Sequence, residues 1–132
     1  MYTRKGDNGT TSLYDGSRVY KNDQRIVMLS QLDDFVSHFG DTFKSEYTNL
    51  TTALMDICTI VASPVIQYKF DEEQKLTTFI EKEIDLTYKK LPKLTKFILP
   101  DNKFHIVRTK CRICEISLIE FSKIDKSIPG KI

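Results

Sequence analysis

Tryptophan is absent from this 132-residue chain, and glycine (five), proline (four), methionine (three), cysteine (three) and histidine (two) are scarce. So little glycine and proline excludes a collagen-like or low-complexity chain. Cys58, Cys111 and Cys114 are an odd count, too few for a disulfide-stapled scaffold. The last two read CRIC, and a single CxxC lacks the second ligand pair that a zinc site needs. Reduced thiols are therefore expected. A redox CxxC is the lesser alternative, because the motif lies inside a helical pattern with no strand before it. Neither His38 nor His105 falls in an HExxH or similar spacing, so a histidine-held metal is not expected and both read as surface or helix-packing residues. No apolar run approaches the ~20 residues that cross a bilayer. Met1 is followed by Arg4, Lys5, Gly6 and Asp7 instead of the apolar stretch of a signal peptide, which predicts an intracellular, cytoplasmic protein without a membrane segment. An excess of one charge is missing too: 20 Lys+Arg face 18 Asp+Glu, a net +2. That balance excludes a broad electrostatic footprint for nucleic acid or an anionic membrane.

What is present is an ordinary globular composition, 40% hydrophobic and 29% charged. A chain of this length buries roughly two-thirds of its unfolded surface, enough for one core without disulfides or structural metal. Residues 1–22 hold Gly6, Gly9 and Gly16 among Thr and Ser, with no helical period, and read as loop with at most a short extended piece. From Asp23 the pattern changes. Ile26, Leu29, Leu32, Val36, Phe39 and Phe43 recur every three or four residues, as on an amphipathic helix. Leu50, Leu54, Ile57 and Val61 predict a second helix that Pro64 stops. Asp71, with Glu72 and Glu73, supplies an N-cap and an acidic first turn for a third, read off Leu76, Ile80, Ile84, Tyr88 and Leu91. Pro92 and Pro100 bracket the non-helical KLTKFIL. Phe104, Val107, Cys111, Cys114, Leu118 and Phe121 then step by 3, 4, 3, 4, 3 along a fourth helix, a heptad-like seam. Four helices on short loops predict an all-α, antiparallel helical bundle. The chain reads as a single domain: loop 1–22, bundle 23–123 and a tail 124–132 carrying Pro129 and Gly130.

Three constellations carry chemistry. In YTRKGDNGTTSL, glycines permit close backbone approach, hydroxyls and N–H groups suit phosphate oxygens, and Asp7 suits the cation that accompanies a nucleotide. The GxxxxGK[ST] spacing of a Walker loop is missing. Lys21 and Arg25, four apart at the start of the first helix, add positive charge beside such a ligand or else simply solvate the helix end. On the fourth helix Arg108, Arg112 and Glu115 share one face. Two guanidiniums a turn apart clamp a polyphosphate, with Glu115 orienting one, unless the set is no more than an exposed salt bridge. Asp33 and Asp34 border the apolar stripe of the first helix and require partners, for which the arginines of the fourth helix are the natural candidates.

YTRKGDNGTTSL, RVYKNDQR (Arg18 to Arg25), IEKEID (Ile80 to Asp85), LPKLTKFILP (Leu91 to Pro100) and RTKCR (Arg108 to Arg112) together resemble, in order and spacing, the PduO-type ATP:cob(I)alamin adenosyltransferases. The resemblance runs from Tyr2 to about Glu115. It implies a bundle of about five helices, a homotrimer with active sites between neighbouring subunits, and transfer of the 5′-deoxyadenosyl group of ATP to the cobalt of reduced cobalamin with release of triphosphate. The family's nucleotide loop matches Thr3, Gly6, Asp7, Gly9, Thr10, Thr11 and Ser12, and its basic helix start matches Lys21 and Arg25. Asp33 and Arg108 match a pair made across the subunit interface, Arg112 and Glu115 the residues that contact or position ATP, and Phe97 the ring that packs under the corrin. Lys21, Arg25, Arg112 and Mg²⁺ are then expected to hold the triphosphate, with a reductase or cobalamin-using enzyme as a further partner.

The departures from that pattern are local. Val36 stands at a polar position, and Ile113 and Ile116 replace arginines. Asp101 and Asn102 stand where GGS follows FILP, and the family's last helix, with its nucleotide-binding asparagine, is missing. These losses raise the alternative of a pseudoenzyme that keeps the fold and serves as an ATP-binding or scaffold subunit.

Overall fold

The computed structural model of the protein describes residues 4–63 and 70–125. Among them are a two-stranded sheet, β1 (Thr10–Ser12) and β2 (Arg18–Tyr20), and four helices: α1 (Gln24–Phe43), α2 (Thr48–Ala62), α3 (Phe70–Tyr88) and α4 (Lys103–Ile124). The architecture is the expected helical one, with a hairpin where loop was expected. The strands are antiparallel, with Thr10 opposite Tyr20, Thr11 opposite Val19 and Ser12 opposite Arg18. Only three residues long, they fall below the length at which alternation announces a strand. Their turn is closed by the Leu13 N–H donating to Ser17 O at 2.9 Å, with Gly16 at φ +83°. The Asp15 carboxylate accepts from the Ser17 N–H and hydroxyl, which holds its pKa below the usual carboxylate range.

Two compact units divide the chain, residues 1–66 with 101–132, and residues 67–100. In the first, α1 is the central element, packed against both α2 and α4. Its start is capped by the Asp23 side chain, which accepts from the Arg25 N–H at 2.9 Å. α4 is capped likewise by Asn102, which accepts from the Phe104 N–H at 3.0 Å. Both neighbours run antiparallel to α1. Against α4, Arg25 meets Asp125, Gln31 meets Cys114, Asp34 meets Lys110 and Asp41 meets Lys103. Against α2, Arg25 meets Val61 while Phe43 stacks edge-on against Tyr47 just before the helix begins.

The core is Met28, Leu32, Phe35, Phe39, Val61, Val107, Cys114, Leu118 and Phe121. The stripe on α1 is thus Met28–Leu32–Phe35–Phe39. Ile26, counted in the expected stripe, lies on another side, and Leu29 and Phe43 pack only at the core's margin. With helices on two sides, α1 buries a wide face, and the three-or-four spacing fits more than one choice of its centre. The α4 seam is corrected at Phe104 and Cys111, both exposed. At about 100° per residue these positions lie roughly 50–70° from the centre of the buried stripe, on its rim.

The second unit contains α3 and the stretch to Pro100. α3 opens one residue before the expected cap, so Asp71 to Glu73 fall in its first turn. Residues 91–100 have no regular structure, as Pro92 and Pro100 require, and Phe97 is fully exposed. Thr3, Pro64 and the tail with Pro129 and Gly130 lie outside the described residues.

Leu32, 3% exposed, belongs to the core cluster to which α1, α2 and α4 all contribute. Leu32→Ala is expected to destabilise the chain by about 2–5 kcal/mol, read as a lowered urea midpoint with unchanged helical circular dichroism in the native baseline.

Candidate functional site

The Gly/Thr loop is built from two successive turns and then the hairpin. Asp7 N–H donates to Arg4 O and Gly9 N–H to Gly6 O, each at 3.2 Å, and Gly9 adopts φ +80°, which a glycine takes without strain. The Lys21 N–H, donating to Gly9 O at 2.9 Å, extends the strand pairing back into the loop. This brings the side chain of Lys21 over Gly6: a Cβ at position 6 would stand 3.3 Å from Lys21 Nζ. The sequence placed these two residues fifteen positions apart in separate strings. The fold brings them together.

Arg18 crosses the face of the hairpin that carries Thr10 and Ser12. Its Nη1 donates to Ser12 Oγ at 3.2 Å, and its Nη2 donates to the Lys5 carbonyl at 2.6 Å and to Thr10 Oγ1. Thr10 in turn donates to Asn8 Oδ1 at 3.0 Å. The sequence reading passed over this arginine. Its signal was available, since hairpin register puts residues 10, 12 and 18 on one face, but the hairpin itself was not legible.

Arg25 sits at the other side of the α1 start. Its side chain is only 13% exposed. It donates to Val61 O at 2.6 Å, pairs with Asp125, and lies 4.9 Å from the centroid of the Phe121 ring. The hairpin is fixed to the same end of the helices by the Tyr14 N–H, which donates to Ala62 O at 3.3 Å. Thus Gly6, Asp7, Gly9, Thr10, Thr11, Ser12, Lys21 and Arg25 gather around one end of the first unit.

Arg108, Arg112 and Glu115 do not join them. All three are exposed on α4, and within the described chain Arg112 forms no ion pair with Glu115, nor Arg108 with Asp33, which is itself exposed. Arg25 marks the hairpin end opposite Phe121 and Asp125 of α4. Arg112, nine residues before Phe121, is displaced by roughly 14 Å along the helix axis. Ile113 and Ile116 beside it are also exposed. Ile116 lines a groove of about 270 Å³ between α1 and α4, with Val27, Gln31 and Phe121 in its wall.

The partner of Asp34 corrects an expectation: Lys110, not an arginine, forms the ion pair. Lys110 stands two residues before Arg112, and that step of about 200° turns the arginine off the seam that faces α1. The hydrogen bond from Lys110 holds the Asp34 pKa below the usual carboxylate range, burial opposing it and His38, 3.4 Å away, adding to it. His38 itself packs through Nδ1, 2.8 Å from the Asp34 carbonyl oxygen. The cysteines shift the other way. Burial is the leading cause for all three, and the Cys114 pKa is raised to about 11. Its thiol donates to Gln31 O at 3.1 Å. These are protonated, weakly nucleophilic thiols at neutral pH. Among the described residues no group of three or more His, Cys, Asp and Glu side chains could hold a metal ion, and no helix is long and apolar enough to cross a membrane.

The family model described as Cobalamin adenosyltransferase matches residues 1–131. The chain is 28% identical to Corrinoid adenosyltransferase MMAB of Homo sapiens over 153 residues, covering 97% of this chain and 61% of that protein. It is 32% identical to the Cobalamin adenosyltransferase of Cupriavidus metallidurans over 133 residues, covering 89% and 70%. The chain therefore spans less than two-thirds of the human relative's length. A solved PduO-type ATP:corrinoid adenosyltransferase from Lactobacillus reuteri, a phenylalanine-to-alanine variant complexed with cobalamin and ATP, matches with a TM-score of 0.80 and 26% identity over 94% of this chain and 78% of that one.

The Asp34–Lys110 pair has a pH signature. A carboxyl whose pKa is lower folded than unfolded contributes stability that is present above the unfolded value and lost as pH falls through the folded one. The stability difference between the wild-type chain and Lys110→Met is therefore expected to be largest near neutrality and to shrink as the pH falls below about 4. Urea unfolding at a series of pH values measures it; a difference that stays constant down to pH ~2 would contradict the assignment.

Proposed function

We propose that this chain, which belongs to the cobalamin adenosyltransferase family, transfers the 5′-deoxyadenosyl group of ATP to the cobalt of a reduced corrinoid and releases triphosphate. The observation that carries the reading is the Lys21 ammonium poised over Gly6, in a hydroxyl-rich loop anchored to the helices through Tyr14. Such a loop offers backbone N–H groups and a point charge to phosphate oxygens. The names of the relatives and the ATP and cobalamin of the structural neighbour support the same substrates.

In this reaction the C5′–O bond of ATP breaks and its electron pair leaves on the triphosphate while cobalt supplies the pair for the new Co–C bond. A reduced cobalt centre is nucleophilic enough to need no general base. The protein's tasks are alignment and stabilisation of the leaving group's charge. Residues Gly6 to Ser12 and Lys21 would cradle the phosphates, joined by Thr3 from the same string. Arg112 would meet the charge that develops on the triphosphate, with Glu115 orienting the guanidinium. Arg25 is committed to Val61 and Asp125 in the free chain, so its part is to hold the start of α1, and with it Lys21, in place. Mg²⁺ would travel on the triphosphate: no protein cage for it stands among the described residues, and Asp7 is the carboxylate nearest the proposed phosphates in sequence. Phe97, exposed and unconfined, is available to pack under the corrin ring and exclude its lower axial ligand.

The roughly 14 Å along α4 from Phe121, beside Arg25, to Arg112 supports a site completed between copies of the chain, the loop coming from one and α4 from another. Asp33 and Arg108, exposed and without an ion pair among the described residues, suit a contact across that interface. The homotrimer of the family satisfies both requirements.

An anaerobic assay with chemically reduced cobalamin and Mg-ATP, followed by the spectral change to adenosylcobalamin, tests the reading. The purified chain is expected to convert cobalamin, and Arg112→Ala to lower the rate by roughly a hundredfold or more. No conversion by a folded, oligomeric chain would overturn the proposal, and wild-type turnover by Arg112→Ala would remove Arg112 from the site.

A further inference from the structure

We infer that Arg18 is the positioning residue of the phosphate loop, a clamp that holds residues 5–12 in their binding conformation without itself touching the nucleotide. The inference rests on the loop being the nucleotide site, as proposed above. One guanidinium ties together three points of that loop: the Lys5 carbonyl within the first turn, the Thr10 hydroxyl after the second, and the Ser12 hydroxyl at the end of β1. A single side chain thereby bridges from the first turn, across the second, to the strand that follows. Only a planar fork with several N–H donors spans such a set, and an ammonium at the same place serves as a point charge.

The bonds also set the direction of the hydroxyls. By donating to the Ser12 oxygen, Arg18 occupies a lone pair and leaves the hydroxyl hydrogen to be given outward. The Thr10 hydrogen is directed to Asn8, which draws the Asn8 side chain into the same network. A loop arranged in advance binds its anion without first losing conformational freedom, and a loop populated in the competent form only a tenth of the time binds roughly tenfold more weakly. Arg18 is exposed and makes no contact with the helices in this network, so its loss acts on the loop and leaves the core intact.

The test compares the wild-type chain with Arg18→Ala, Arg18→Lys and Lys21→Ala in calorimetric titrations with Mg-ATP, alongside hydrogen exchange of residues 5–12 without nucleotide. Arg18→Ala is expected to weaken ATP binding about tenfold and to lose protection at the Gly9 amide, with an unchanged thermal midpoint. Arg18→Lys should behave nearly as Arg18→Ala, because it keeps the charge and loses the fork. Full rescue by lysine, or lost affinity with loop exchange unchanged, would overturn the positioning role in favour of simple charge or direct contact. Unchanged affinity in Arg18→Ala while Lys21→Ala binds weakly would overturn the inference and leave the nucleotide site standing. A wild-type chain that does not bind Mg-ATP would bring down the nucleotide reading itself, and the role of Arg18 with it.

Discussion

The Arg25 guanidinium is where three helices and the hairpin become one body. It stands at the start of α1, takes a carbonyl from the last turn of α2, pairs with Asp125 at the end of α4 and covers the ring of Phe121. The last turn of α2 leaves carbonyls without intrahelical partners, and a cation is the favoured group there. A charge so nearly enclosed is tolerated because each side of it is answered, and removing one partner would leave an uncompensated ion. The hairpin depends on the same corner through Tyr14 and Ala62. The placement of Lys21 and the loop therefore follows from how α1 is seated between its neighbours.

That seating divides the chemistry. α1 and α4 run antiparallel, so residues early in α1 meet residues late in α4. The Gly/Thr loop and its hairpin lead into the start of α1, whereas Arg108 and Arg112 lie in the first half of α4. Within one chain an offset of roughly 14 Å along α4 separates the two groups, and the proposed site between copies would bridge it. The exposure of Asp33, Arg108 and Arg112, together with the apolar Ile113 and Ile116, concentrates on α1 and α4 the groups that an interface would use.

Much of this was legible in residue order and some was not, for physical reasons. The four helices follow from a period of three to four, the first from the change of pattern at Asp23, whereas the capping by Asp23 and Asn102 emerges only in the structure. The order of the five strings in the chain named the family before any geometry. The strands at Thr10–Ser12 and Arg18–Tyr20 were not legible because three residues carry almost no alternation, and Arg18 was missed with them. Lys110 was passed over as the partner of Asp34 because sequence spacing gives the face of a helix without giving the rotation of that helix about its neighbour. The same ambiguity moved the buried stripe of α1 to Met28 and Phe35, and left Phe104 and Cys111 on the rim of α4.

The sequence by itself determined which segments are helical, where prolines and caps interrupt them, and which residue types are available for phosphate, metal or thiol chemistry. These depend on local propensity and period, which act within a few residues. Only the tertiary structure decided that Lys21 lies over Gly6, that Arg18 bridges the loop, that Arg25 is spent on the helix junction, and that Arg112 stands roughly 14 Å along α4 from that junction. The Lys21 and Arg18 contacts depend on the pairing of the hairpin, and those of Arg25 on residues far apart in the chain that meet once burial of the α1 core has set the helices side by side.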